Sequence, residues 1–245
     1  MPKEAADMSS ASLDRKTERP IRTASLAAGG GLLLMSVLAG FGKFVAVDGL
    51  VTRGDAAQTA RDITESAGLF RLGIVSLVMV IALDVVVAWG LYRVFSPVNR
   101  SLSMVAAAFR LVYSGVFLVA IGQLLGPLRL LADDAYLGVF SADQLNAQAL
   151  LDITAFSDLW MVSLGLFGVH LLVLGYLAYR SGYVPRFLGV LLVIAGLGYV
   201  IDSLGVMLYP GAWTDVSTYT FPGEFLLALW LVIRGRRVTS TGSSN

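Results

Sequence analysis

Residues 69–95, LFRLGIVSLVMVIALDVVVAWGLYRVF, decide the fold of this chain. The stretch is almost entirely apolar, with three charged side chains among its residues. A helix rises about 1.5 Å per residue, so about 20 apolar residues cross a hydrocarbon core about 30 Å thick. A transmembrane barrel would instead show alternating segments about ten residues long. The stretch therefore predicts a transmembrane helix, which satisfies its own backbone hydrogen bonds in lipid.

Five more apolar blocks accompany this stretch, and the last of them is shorter than the others. They predict an all-α polytopic membrane protein, a six-helix transmembrane bundle within residues 22–237. Residues 1–21 and 238–245 are polar, and we expect them to be disordered cytoplasmic tails. A cleaved signal peptide is the alternative for the start, but the apolar run from Thr23 is too long for a typical signal core. The predicted spans are 22–47, 69–95, 103–131, 152–180, 186–209 and 216–234.

The composition excludes several classes of function. Hydrophobic residues make up 56% of the 245 residues and charged residues 14%, against about a quarter in soluble domains. The net charge of +1 gives no reason to expect a nucleic-acid partner. The absence of cysteine excludes disulfides, thiolate catalysis and cysteine-held metals. No phosphate-binding glycine loop, HExxH or GxSxG motif is present, so no catalytic residue, metal or cofactor is predicted.

Basic residues alternate between the segments that flank the six predicted spans. The two tails and the second and fourth connections carry arginine or lysine near the span ends, whereas the other three connections are mainly acidic. The second connection, for example, has Arg93 and Arg100 and no acid, and the fifth has Asp215 and no base. Basic segments of this kind stay in the cytoplasm. Both termini are therefore predicted to be cytoplasmic.

Two residues of opposite charge are predicted to meet inside the membrane. Asp84 lies 13 residues before Pro97, which marks an inner turn, and Arg110 lies 13 residues after it. At an equal rise per residue, both side chains reach a similar depth. An unpaired charge at that depth costs several kcal/mol. We therefore predict a buried Asp84–Arg110 ion pair that fixes helix register, with a catalytic or proton-relay role as the alternative.

Two carboxylates are predicted to lie near one another in the outer half of spans five and six. Asp202 and Glu224 are each 11 residues from Trp213, which marks the outer turn. Adjacent carboxylates repel, so one would hold a proton or a cation would lie between them. Arg71 is the predicted partner and Lys43 the alternative. Arg71, Asp202 and Glu224 thus form the candidate ligand-binding site, with a buried structural network as the other interpretation.

The single histidine, His170, is a third polar group within an apolar span. A lone histidine does not build a histidine-rich metal site. The favoured interpretation is a packed side chain that hydrogen-bonds to a neighbouring helix. Gln123, Tyr113 and Tyr199 are further intramembrane polar groups that could line the same interior.

Two polar pairs indicate helix starts in the outer segments. Asp55 with Gln58, and Ser141 with Gln144, have the spacing of side chains that cap a first helical turn. Residues 141–156, SADQLNAQALLDITAF, are interpreted as an outward extension of the fourth span. A helix on the membrane surface and a substrate-facing lid are the alternatives.

Small residues recur every seven positions on two successive spans. Gly168 and Gly175 do so on the fourth span, and Gly189, Gly196 and Ser203 on the fifth. A stripe of small residues lets helix backbones approach closely in a membrane. We therefore predict a packing contact along these stripes.

Three stretches carry a family resemblance: LYRVFSPVNRSLSMVAAAFRLVYSG, HLLVLGYLAYRSGYVPRFLGVLLVIAGLGYVIDSLG and TFPGEFLLALWLVIRG. Together they resemble the bacterial integral-membrane family called domain of unknown function 4386, from about Arg22 to Arg237. The resemblance implies no activity. It does imply that a set of polar residues is a shared feature of the fold, namely Arg71, Asp84, Arg110, His170, Asp202 and Glu224.

The expected function is that of a multi-pass protein in a bacterial plasma (inner) membrane. Its partners would be the lipid bilayer and a small ligand, lipid or ion bound by the polar interior. A secondary transporter, proton-coupled through the two outer carboxylates, is the first alternative. A membrane-embedded enzyme or a structural partner of a membrane complex is the second, and enzyme activity is the less favoured of these. The sequence leaves the oligomeric state open.

Overall fold

The computed structural model describes residues 22–132, 138–209, 216–220 and 222–235, and every regular element in these ranges is a helix. The two predicted tails lie outside the described residues. The helices are α1 (Arg22–Leu50), α2 (Ala56–Glu65), α3 (Ala67–Phe95), α4 (Arg100–Gln123), α5 (Leu125–Leu130), α6 (Ala142–Arg180), α7 (Arg186–Leu208), α8 (Ser217–Thr220) and α9 (Pro222–Ile233).

Five helical segments are long and apolar enough to cross a membrane. They are α1, α3, the segment formed by α4 and α5 together, α6, and α7. Their mean hydropathy lies between 1.8 and 2.5. Their outward surfaces are rich in large apolar side chains, such as Val37 and Phe44 on α1 and Val119 on α4. Apolar side chains on the outside of a helical bundle suit contact with lipid. This is the architecture of a multi-pass membrane protein.

The last predicted span, 216–234, is occupied by the shorter helices α8 and α9. Helix α9 has 12 residues and therefore a length of about 18 Å, against about 30 Å for the hydrocarbon core. The described structure thus shows five helices of spanning length, and the sixth crossing stays a prediction.

The start of α1 and the end of α9 lie side by side. Ser25 Oγ donates a hydrogen bond to the carbonyl oxygen of Leu231 at 3.1 Å. Gly29 approaches the Ala228 carbonyl so closely that a β-carbon there would lie 2.9 Å from its oxygen. The start of α1 and the end of α9 therefore lie at the same end of the molecule.

Helix α6 continues well beyond the predicted fourth span. Ser141 and Gln144 form a reciprocal capping box at its start, which confirms the predicted helix start there. The side chain of Asp55 likewise accepts the backbone N–H of Gln58 at the start of α2. Because α6 runs without a break from Ala142 to Arg180, residues 142–156 continue the fourth span as one helix, in line with the favoured interpretation.

Glycines join α6 to α7 along a close seam. A β-carbon on Gly168 would lie 2.6 Å from the carbonyl oxygen of Gly196, and one on Gly175 would lie 2.7 Å from that of Gly189. Such distances are too short for any side chain, so the two backbones are in direct contact. The seven-residue stripes therefore have the packing role predicted for them.

Helix α1 departs from regular α geometry near its C-terminal end. Residues Phe41–Val47 form a single-turn π-helix, which we call the π-turn. A short 3₁₀ turn, Asp48–Leu50, follows it. The π-turn packs against α3, where Ser76 Oγ donates to the carbonyl oxygen of Leu38 at 3.2 Å. Gly73 of α3 makes room for Ala46, because a β-carbon added at position 73 would lie 2.4 Å from the β-carbon of Ala46.

A buried polar cluster as the candidate functional site

Asp84 and Arg110 form an ion pair in the interior. Arg110 Nη2 of α4 lies 2.7 Å from Asp84 Oδ1 of α3, and the exposed fractions of the two side chains are 2% and 0%. Positions 84 and 110 are equally distant from Pro97, so two antiparallel helices joined at that turn bring them to one depth. The structure thus brings together the pair that the depth arithmetic predicts.

His170 of α6 contacts the same guanidinium. Its Nδ1 lies 2.8 Å from the carbonyl oxygen of Ala106 on α4, and its Nε2 lies 3.3 Å from Arg110 Nη1. A carbonyl oxygen only accepts and a guanidinium only donates, so Nδ1 carries the hydrogen and Nε2 is the acceptor. This network assigns a neutral imidazole that links α6 to α4, in agreement with the packing role predicted from the sequence.

Glu224 of α9 faces this ion pair. Its charged neighbours are Arg110 and Asp84, and it is hydrogen-bonded to Tyr199 of α7. Glu224 lies deeper than predicted, because the facing residues of α7 and α8 are not centred on position 213. Gly198 faces Thr220 and Asp202 binds Ser217, and both pairs are centred near position 209.

We call Asp84, Arg110, His170, Tyr199 and Glu224 the central polar cluster. Its members come from α3, α4, α6, α7 and α9. Helix α1 adds Met35, whose sulfur lies 3.9 Å from Arg110 Nη2. Helices α1, α3 and α6 therefore contact the Arg110 guanidinium, Glu224 of α9 is its charged neighbour, and α7 joins the cluster through Tyr199.

An aromatic ring forms one wall of the cluster. The Phe167 ring lies 5.3 Å from the guanidinium carbon of Arg110, which is within the range of a cation–π contact. The same ring also packs against Tyr113, His170 and Tyr199, with centroids 4.9, 5.5 and 5.7 Å away. These rings separate the charges from water and surround them with a low-dielectric medium.

Several polar atoms in the cluster lack a well-aligned hydrogen bond. Among the described residues, Nε of Arg110 and Oε1 of Glu224 have no partner, whereas Asp84 has Arg110 Nη2 at 2.7 Å from Oδ1 and Ser114 beside its carboxylate. Buried polar atoms without partners are uncommon in proteins and call for an explanation such as a water or an ion. The cluster therefore has unused capacity to bind a small polar species.

The structure places Arg71, Asp202 and Glu224 in different surroundings. Arg71 is exposed on α3, because it lies beside the buried row that Phe70 and Ile74 mark. Asp202 is buried and accepts the backbone N–H groups of Val216 at 2.8 Å and Ser217 at 2.6 Å. Counting residues from a turn predicts how far along a helix a side chain lies. It does not predict which side of the helix the side chain occupies, so it could not separate the exposed Arg71 from the buried Asp202.

Lys43 and Gln123 also lie outside the central polar cluster. Lys43 pairs with Asp48, close to it on α1, instead of with the carboxylates of spans five and six. Gln123 is half-buried at the end of α4. The sequence analysis did not identify Met35 and Phe167 as neighbours of Arg110. Neither side chain is charged, and the only available signal was the periodic position of each residue on its helix.

Comparison with known proteins assigns the chain to a family without assigning an activity. An "Uncharacterized protein" of Archaeoglobus fulgidus is 36% identical over 171 residues, which cover 70% of this chain and 88% of that protein. This relative is archaeal, so likeness to the chain is not limited to bacteria. No solved structure matches. Residues 27–235, which include the whole central polar cluster, match the family described as "Domain of unknown function (DUF4386)", and the chain therefore belongs to that family.

Proposed function

We propose that this membrane protein binds a proton within the central polar cluster, with Glu224 as the group that takes up and releases it. The observation that supports the proposal is a charge count. Asp84 and Glu224 share one guanidinium, that of Arg110, and the hydrogen bonds of His170 assign it a neutral ring. With both carboxylates ionised the cluster would hold one uncompensated negative charge in apolar surroundings, which is costly.

A proton on Glu224 removes that imbalance. Asp84 already has Arg110 at 2.7 Å, whereas Glu224 has an unpartnered Oε1 and the hydroxyl of Tyr199 beside it. The ionisable groups near Glu224 include Arg110, Tyr113, Asp84 and Tyr199, from three different helices. Loss of the proton would strengthen the pull between Glu224 and Arg110, and with it the contact between α9 and α4. Proton binding would thereby be coupled to the position of α9.

This property supports a proton-linked secondary transporter over an enzyme. The cluster joins two carboxylates and a guanidinium, and intramembrane ionisable groups commonly mark proton pathways.

Infrared difference spectroscopy of the purified full-length protein tests the proposal. Between about pH 5 and pH 9, the wild-type protein should lose a carboxylic acid C=O band that shifts in D₂O. Glu224→Gln should abolish this band, while Asp143→Asn, an exposed carboxylate in the first turn of α6, should leave it unchanged. A spectrum in which no band depends on both pH and Glu224 would refute proton exchange at this residue.

A further inference from the structure

A second polar site lies at the end of α1 that is farther from Arg22. Lys43 Nζ pairs with the carboxylate of Asp48 and lies 5.3 Å from the ring centre of Trp160 and 5.7 Å from that of Phe156. The Lys43 side chain is 16% exposed and that of Asp48 is 41% exposed. The ammonium group is thus enclosed by a carboxylate and two aromatic faces, with an opening on the Asp48 side. We call Asp48, Phe156 and Trp160 the ammonium cage.

The π-turn of α1 is what builds the cage. The backbone N–H of Asp48 bonds to the carbonyl oxygen of Lys43, five residues earlier, so the two residues lie one turn apart. In an α-helix, positions five apart point about 140° away from each other, and the lysine and the aspartate would face different neighbours. π-Turns inside α-helices occur frequently at functional sites.

A buried donor in the cage has no acceptor. Trp160 Nε1 is enclosed and lacks a hydrogen-bond partner among the described residues, although an indole N–H is a donor that usually finds one when buried. A cage that served only to hold Lys43 would have no use for this donor. The N–H belongs to the same ring that carries the ammonium contact, so one small molecule could reach both.

We propose that the ammonium cage binds a small ammonium compound that also carries a carboxylate, and that Lys43 is the competing internal occupant. The ammonium of the ligand takes the place of Lys43 Nζ against Asp48 and the two ring faces. Aromatic faces together with a carboxylate are the chemistry that recognises alkylated ammonium groups. The carboxylate of the ligand accepts the hydrogen bond of Trp160 Nε1. The site is separate from Glu224, so it stands or falls independently of proton binding.

Isothermal titration calorimetry of the full-length protein in detergent, with glycine betaine as the probe, tests the site. Wild-type protein should bind the probe saturably, and Lys43→Ala should bind it at least tenfold more tightly because the competing ammonium is gone. Asp48→Asn should weaken binding at least tenfold. Asp158→Asn removes an exposed carboxylate two residues from Trp160 and should match the wild type.

Trp160→Phe provides a second variant that does not depend on the carboxylate of Asp48. It keeps an aromatic face but removes the N–H. This variant should therefore bind glycine betaine no more tightly than it binds tetramethylammonium, which has no carboxylate. In the wild type, glycine betaine should bind at least threefold more tightly than tetramethylammonium. The proposal is overturned if neither wild type nor Lys43→Ala binds glycine betaine, or if the two probes bind wild type equally.

Discussion

Arg110 holds the central polar cluster together because its neighbours contact both terminal nitrogens and the face of one guanidinium. Nη2 meets Asp84 and Met35, Nη1 meets His170, and the plane lies over Phe167. Asp84 and Glu224 both depend on its charge. Loss of Arg110 should therefore be more damaging than loss of either acid.

Substitutions at the ion pair should show this asymmetry. Arg110→Met leaves two buried carboxylates without a cation and should lower the free energy of unfolding by about 3–5 kcal/mol. Asp84→Leu should cost less, because Arg110 then has Glu224 as its counter-ion. The double variant should regain part of the loss seen with Arg110→Met. Unfolding in detergent, followed by tryptophan fluorescence, gives the three values.

A double variant that is no more stable than Arg110→Met would contradict this account. It would mean that an uncompensated Asp84 is not what destabilises the single variant. Ser36→Ala, on the exposed side of α1, is a suitable control because its hydroxyl bonds only within its own helix, to Leu32.

Residue spacing could predict some of these contacts but not others. Asp84 and Arg110 are placed by a short turn whose centre, Pro97, is visible in the sequence. The turn before Glu224 has no such marker, so an error of about four residues in its centre moved Glu224 to the wrong depth. Arg71 lies on an exposed face of α3, which the mainly apolar sequence of that helix does not reveal.

At the scale of elements, the α6–α7 seam should tolerate no added methyl group. Gly196→Ala puts a β-carbon 2.7 Å from the carbonyl oxygen of Gly168, so the helices must separate. Overpacking of this kind costs about 1–3 kcal/mol, and the thermal unfolding midpoint should fall accordingly. Thermal unfolding monitored by circular dichroism measures the effect.

Gly115→Ala on α4 is the matched control for that substitution. It is also a glycine inside a long helix, but an added β-carbon there meets nothing within 4 Å. Because alanine favours helix over glycine, this variant should be as stable as the wild type or slightly more so. Equal destabilisation by both alanines would indicate that the seam is looser than described.

Helix starts and seams could be predicted because their signals are local or periodic. The capping pairs at Asp55 and Ser141 need only four residues to recognise, and the glycine stripes repeat every seven. The π-turn of α1 has no comparable signal, since it depends on Ser76 and Gly73 of another helix. Lys43 was one of two partners proposed for the outer carboxylates, and the structure pairs it with Asp48.

At the scale of the whole molecule, both termini should lie in the cytoplasm. The chain has no cysteine, so single cysteines can be introduced without background. In intact cells, a membrane-impermeant maleimide should label Asp143→Cys but not Ser10→Cys or Ser243→Cys. The latter two should be labelled only after the membrane is permeabilised.

The same experiment distinguishes six crossings from five. Labelling of Ser243→Cys but not Ser10→Cys in intact cells would place the ends on opposite sides and remove α8 and α9 from the set of spans. The contact between Ser25 and Leu231 argues for the first outcome.

The all-helical membrane architecture was predictable because hydrocarbon leaves the backbone few choices. Long apolar blocks therefore identify helices of spanning length without any knowledge of their contacts. The last block was harder to interpret, because α9 is short and its role in crossing depends on neighbours rather than on its own length.

The π-turn of α1 sets the number of residues that separate the two charged partners of the ammonium cage. An α-helix brings residues four positions apart to the same face, whereas the π-turn does so for Lys43 and Asp48, which are five positions apart. A chain with one residue fewer between them would form the same ion pair on an ordinary α-helix. Two family members can therefore share the cage while differing by one codon, the lysine and aspartate being five positions apart in one and four in the other.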